Sequence, residues 1–351
     1  MVLMLTWEYP PRVVGGISRH VEGLSRALVK RGIGVHVVTP EFPNTPFEEL
    51  KDEVHIHRVA IETPAPSFHS WVMLMNHFFV KRVAQLTSEY RFDIIHAHDW
   101  LTTPSAVELK HLLKAVLIIT IHSLEFRRSG GSQGAESRMV ESIEWWSTYE
   151  ATLVIVCSRS TRNDVVERFL VPEDKLCVIP NGIDAKALEG TVDRSWVRAR
   201  YGIYDDDKLV LFVGRLTDQK GCDYLIKALS MLPYNVKLII VGDGWMRELL
   251  ERDVATLGLS QRVKFAGFLP DHEMMALMKA ADVLVVPSVY EPFGMVALEG
   301  MASGVPVVAS NVDGLSEIIS HEDNGISVYP RNPSFYSLGH QQSAIRPKKC
   351  R

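Results

Sequence analysis

The two halves of this chain open on the same plan, and that repetition constrains the fold more than any other feature. Val2 to Thr6 is a short apolar run, followed by a loop that ends in Gly15-Gly16. Ile17, Val21, Leu24 and Leu28 then recur at helical spacing, Gly32 and Gly34 end the segment, and Val35 to Thr39 reads as the next strand. The second half repeats this. Leu209 to Val213 leads into a loop from Gly214 to Gly221, Leu225, Ala228, Leu229 and Leu232 share a helical face, Pro233 stops it, and Val236 to Val241 follows. Further β-branched runs lie at Ile94 to Ala97, Val116 to Ile121, Leu153 to Cys157 and Leu176 to Ile179, then at Val263 to Ala266, Val283 to Val286 and Val305 to Ala309. They are continuous rather than alternating, as expected of parallel strands covered by helices on both faces.

The pattern predicts two tandem α/β domains, each a Rossmann-like doubly wound parallel sheet, facing each other across a cleft. Ligands of such sheets sit beyond the carboxyl ends of the strands. The expected division is an N-terminal domain over 1–190, a C-terminal domain over 191–333 and an atypical tail over 334–351. The hinge is placed between Asp184 and Lys208, where periodicity fades and charge rises.

Composition excludes several classes. Hydrophobic residues at 46% and charged residues at 23% describe a globular chain, not a disordered or fibrous one. A net charge of -4 gives no overall basic field for nucleic acid. Four cysteines in 351 residues, none in a C-x-x-C pair, make no disulfide framework and fit a reducing cytoplasm. The start Met1-Val-Leu-Met-Leu-Thr-Trp7 lacks the basic region and cleavage site of a signal peptide. No apolar run approaches the roughly 20 residues of a membrane span. The run Trp71 to Val80 is expected to be a buried helix face rather than a membrane contact.

Two loops carry chemistry. Phe212-Val-Gly-Arg-Leu-Thr-Asp-Gln-Lys-Gly221 sets Gly214, Arg215 and Lys220 between a strand and a helix start, where backbone N–H groups and two cations suit a diphosphate. The spacing fits neither G-x-G-x-x-G nor the P-loop, and the cations could equally be solvated loop charges. Ser288-Val-Tyr-Glu-Pro-Phe-Gly-Met-Val-Ala-Leu-Glu299 puts Glu291 just before an apolar helix and Glu299 about two turns later. A carboxylate in that apolar helix needs a partner, either sugar or ribose hydroxyls or a structural Arg or Lys. Asp205-Asp-Asp207 precedes a strand and reads as a solvated acidic linker, not a metal site. His96, His98 and Asp99 are expected to point in alternating directions and not to form a joint metal site. No metal ligand set is assigned.

G-R-L-x-x-x-K-G followed by E-P-F-G-M-V-A-L-E resembles the retaining glycosyltransferases of family 4, which have the GT-B fold. Trp7-Glu-Tyr-Pro-Pro-Arg-Val-Val-Gly-Gly-Ile17, His96-Ala-His-Asp-Trp100, Thr120-Ile-His-Ser123, Pro180-Asn-Gly-Ile-Asp184 and Val241-Gly-Asp-Gly244 extend the resemblance over about Val2 to Pro330. The family implies a catalytic set of Arg215, Lys220, Glu291 and His122. Arg215 and Lys220 would neutralise the departing nucleoside diphosphate, Glu291 would contact the donor sugar, and His122 would sit at its reacting face. Donor contacts would come from Gly16, Gly214, Gly242, Phe268-Leu269, the Phe293, Gly294 and Met295 amides, and Glu299 on the ribose. Asp99 would lie near the acceptor.

The implied reaction moves a hexose, with glucose from ADP- or UDP-glucose as the specific expectation, to a saccharide hydroxyl with retention, as in glycogen synthase. The nucleotide sugar is then a substrate, and no cofactor or metal is required. Sucrose-type synthesis, or glycosylation of a lipid or small molecule, is the alternative within the class. A second class follows from the C-terminus. After Pro333 the chain reads SFYSLGHQQSAIRPKKCR, with four basic residues, no acidic one and no amphipathic period. The helices with which this family closes onto its N-terminal domain are expected to be missing there, which would leave a binder of nucleotide sugars without turnover.

Overall fold

The computed structural model describes residues 1–132, 134–188, 190–334 and 336. The chain divides into two compact units, Met1–Gly182 and Ile183–Arg351.

In the first unit eight strands form one sheet: β1 (Val2–Leu5), β2 (Val35–Pro40), β3 (Glu48–Lys51), β4 (Val54–Val59), β5 (Ile94–His98), β6 (Val116–Ile121), β7 (Leu153–Val156) and β8 (Leu176–Val178). Their order is β3-β4-β2-β1-β5-β6-β7-β8, parallel except for β3 against β4. The central strands are apolar and buried on both faces because helices cover both sides. One face takes Val72, Met75, Phe79 and Val83 of the helix Phe68–Leu86, so most of the Trp71 to Val80 run is a packing face as expected. The β3–β4 hairpin is not legible in the sequence. Glu48–Lys51 is a charged edge strand without alternation, and the turn places Asp52 and Glu53 at φ of 51° and 61° without the usual Asn-Gly pair.

In the second unit six parallel strands run in the order β11-β10-β9-β12-β13-β14. They are β9 (Lys208–Val213), β10 (Val236–Val241), β11 (Val263–Gly267), β12 (Val283–Val286), β13 (Val307–Ser310) and β14 (Ile326–Val328). The order reverses between β9 and β12, and in the first unit between β1 and β5. In doubly wound sheets, ligands bind beyond the strand ends at such switch points.

By contacts the chain divides at 182/183, eight residues before the expected 190/191. The helix Arg194–Arg200 packs on the helix Asp271–Ala280 of the second unit, and the Arg198 guanidinium pairs with Asp282 Oδ2 at 3.0 Å. The same Asp282 oxygen accepts from the Leu209 amide at 2.7 Å, tying this segment to β9. The acidic triplet is also corrected in part. Asp205 and Asp206 are exposed, but Asp207 is buried and accepts from the Tyr204 amide at 2.9 Å. Of the expected tail, 335 and 337–351 lie outside the described residues. Tyr336 is buried in the second unit's core, and its hydroxyl is 2.8 Å from Ser310 Oγ. Among the described residues no helix is long and apolar enough to cross a membrane.

Candidate active site

The second unit places Gly214, Arg215, Lys220 and Glu291 on the loops at the β9/β12 switch point. The loop after β9 carries Gly214, exposed Arg215 and half-buried Lys220. The loop after β12 carries Glu291. Lys220 Nζ donates to Glu291 Oε2 at 2.6 Å, and Ser288 Oγ donates to the same oxygen at 3.0 Å. The Glu291 amide donates to Asp313 Oδ2 at 3.3 Å, which holds the start of the loop. The cation and the carboxylate singled out from sequence are thus one ion pair.

Glycines set how closely these loops approach. Gly242, at φ 119°, lies against the Gly214 carbonyl, and Gly221, at φ 63°, against the Pro287 carbonyl; a Cβ at either position would collide with backbone. This close packing joins the loops after β9, β10 and β12. Gly294, at φ 111°, caps the helix Met295–Ala302, and Glu299 is buried within that helix. Phe293 is buried and Met295 half-buried, whereas Leu269 packs against the core and leaves Phe268 exposed.

In the first unit, Gly16 begins the helix Gly16–Val29. The buried Glu8 carboxylate shapes the loop before it, accepting from the Val14 and Gly15 amides at 2.6 and 2.7 Å. Sequence reasoning passed over Glu8, although a carboxylate three residues beyond a buried strand is a signal of this kind. His122 follows β6, and its Nε2 is 3.1 Å from His98 Nδ1. His96 and His98 do not diverge as expected. They stand two residues apart on β5, so they share a face, with ring centroids 4.4 Å apart. His20, His98 and His122 each offer a ring nitrogen within 4.8 Å of the others, a trio that could hold a metal ion. Burial drives the pKa of His20, His96 and His122 down to about 3 and that of His98 well below its usual value, with neighbouring imidazoles adding to the effect.

Asp99 is not turned toward open solvent, as an acceptor contact would be. It is buried at φ 59°, and its Oδ1 accepts from the His122 and Ser123 amides at 2.6 and 3.4 Å. Its role in this structure is to hold the turn that presents His122. Behind the turn, Arg128 Nη2 lies 3.1 Å from both Glu125 and Glu144. Burial pushes Asp99 up to about 6 and Glu144 up to about 8, against the pull of Arg128. A carboxyl raised this way is bound to its proton in the fold but not in the unfolded chain, so it loses stability as pH rises from 4.5 toward 8. Glu144→Gln should therefore stabilise the protein at pH 8 relative to pH 4, read as the difference in urea midpoint from the parent. An identical difference at both pH values would overturn this.

Residues 14–187 match the family described as Glycosyltransferase Family 4, and residues 193–338 match Glycosyl transferases group 1. An uncharacterized glycosyltransferase of Methanocaldococcus jannaschii is 43% identical over 345 residues, covering 96% of this chain and 87% of the relative. The chain belongs to glycosyltransferase family 4. A glycogen synthase of Mycobacterium tuberculosis is 34% identical, covering 94% of this chain and 83% of the relative. The sucrose-phosphate synthase of Thermosynechococcus elongatus superposes with a TM-score of 0.85 at 27% identity, covering 99% of this chain and 90% of the other. The GT-B class expected from sequence holds, and as a family 4 member the chain is a glycosyltransferase.

Proposed function

We propose that this glycosyltransferase moves a hexose, glucose from ADP- or UDP-glucose, to a saccharide hydroxyl with retention of configuration, in the manner of glycogen and starch synthases. One observation carries the donor half of the reading. Lys220 and Glu291 are joined at 2.6 Å on the two loops of a topological switch point, with Arg215 on the same loop as Lys220. Arg215 and Lys220 would offset the charge that builds on the leaving diphosphate, and fixed charges of this kind lower a barrier without reorganising during the reaction. Glu291 would take the sugar hydroxyls, and Gly214, Gly242, Gly294 and Met295 would let backbone approach the phosphates. His122, neutral and held by Asp99, would present an uncharged imidazole to the sugar. No side chain is assigned as a general base, and no metal or cofactor is required.

The test is a panel of nucleotide sugars with glycogen and short saccharides, reading nucleoside diphosphate release and the anomeric form of the product. Release with one donor and an α-linked product supports the reading. Binding of donor without release from any of them would favour the alternative, a nucleotide-sugar binder without turnover.

A further inference from the structure

The aromatic cluster at the carboxyl end of β1 and β5 has a cation at its centre that nothing above uses. Arg12 follows β1 by a few residues, and its guanidinium lies over the rings of both Trp7, at 5.7 Å, and Trp71, at 5.3 Å. Phe68, 49% exposed, stacks nearly parallel to Trp71 at 6.1 Å and meets Trp7 and Trp100 edge-on at 6.0 and 6.5 Å. Among the described residues, the Arg12 side chain makes no hydrogen bond and no ion pair, and its Nε is buried without a partner. The Trp7 Nε1 is buried and unpartnered as well. The carboxylate nearest in influence is Glu8, which is already committed to the Val14 and Gly15 amides.

A part-buried guanidinium whose fork has no hydrogen-bond partner among the described residues is costly, and an arriving anion would relieve that cost. A forked cation on an aromatic floor sets the kind of anion. A phosphate monoester brings three acceptor oxygens, two of which the planar fork of Arg12 can take, while a sugar ring covers an aromatic face. We infer that Trp7, Arg12, Phe68 and Trp71 form a subsite for a phosphorylated saccharide acceptor, with the phosphoryl group on Arg12. The inference rests on the transferase reading for its role in catalysis, and it narrows only the acceptor. Burial lowers the pKa of Arg12, which is consistent with a charge that lacks its counterion.

The experiment has two readouts on the full-length chain. The first is tryptophan emission during titration with glucose 6-phosphate, with glucose and maltotriose as neutral controls. Saturable change with the phosphorylated sugar alone, lost in Arg12→Gln and partly kept in Arg12→Lys, is expected. This binding readout needs no turnover, so it judges the subsite even if no donor is cleaved and the transferase reading falls. The second is KM for phosphorylated against neutral acceptors. The preference for the phosphorylated sugar should be about 10- to 100-fold and should collapse in Arg12→Gln, the size expected for a charge-assisted bidentate contact. Circular dichroism of the Gln and Lys variants separates loss of binding from loss of fold. Equal emission changes with glucose and its phosphate, or neutral glucans preferred with no effect of Arg12→Gln, would overturn the inference. So would binding only to vesicles containing phosphatidylinositol and not to the soluble sugar phosphate, which would place the phosphoryl group on a lipid.

Discussion

Replacing Lys220 by alanine is expected to slow nucleoside diphosphate release by about 10²- to 10³-fold, the usual cost of removing one preorganised donor from a developing oxyanion. The structure makes the loss more than the removal of one charge. Lys220 and Glu291 pair at 2.6 Å with both side chains largely shielded, at 23% and 12% exposure. Lys220→Ala would remove a cation from the proposed diphosphate site and also the ion-pair partner of Glu291. The fall should appear in kcat as well as kcat/KM, because the diphosphate gains a further negative charge as the bond breaks. Arg215→Ala should cost a comparable amount. Its guanidinium is exposed, so this variant should keep the parent's thermal midpoint. Unaltered turnover in the Arg215→Ala, Lys220→Ala double variant would remove both residues from the site.

The second large effect is on stability in acid. His20, His36, His57, His96, His98 and His122 all have pKa values lowered first by burial. A base that is neutral in the fold and charged when unfolded takes up a proton on unfolding. Its stability is present above 6.5, the ordinary value, and is lost as pH falls toward about 3. Each net proton taken up steepens the loss by about 1.4 kcal/mol per pH unit. Asp99 and Glu144 act in the opposite direction, because their raised carboxyls gain stability as pH falls, but the imidazoles outnumber them. Against a total stability of about 5–15 kcal/mol, the net loss should unfold the first unit between roughly pH 6 and 4. All six imidazoles lie in Met1–Gly182, so hydrogen exchange should rise first in β5 and β6 and not in β9 or β12. Equal unfolding free energy at pH 4.5 and 7.5 would refute this.

Most of the fold was legible in the chain because buried parallel strands are long enough apolar runs to stand out. The runs at Val2, Val35, Ile94 and Val116, and those at Leu209, Val236 and Val283, all became strands. The hairpin Glu48–Lys51 and Val54–Val59 did not stand out. Its outer strand is charged and paired on one side alone, so its sequence carries no core pattern. The proposed donor-site residues were legible as a motif, and Lys220 with Glu291 came together across 71 positions. Asp99 was legible as important, but its direction was not. A positive φ after β5 turns its carboxylate onto the next loop's amides, which no spacing rule encodes.

By itself, the sequence determined two doubly wound sheets and the order of their strand-and-glycine loops, because strand burial and loop geometry are local demands on residue type. It also determined which cations and carboxylates stand at strand ends. Only the tertiary structure decided what those groups face. Glu8 serves backbone amides, Asp99 supports the His122 turn, Glu144 stays buried behind it, and Arg12 lies over two indoles with no ion pair among the described residues. The reason is physical. Whether a charge is paired, solvated or waiting for a ligand depends on atoms brought from distant parts of the chain, and only packing fixes their distances.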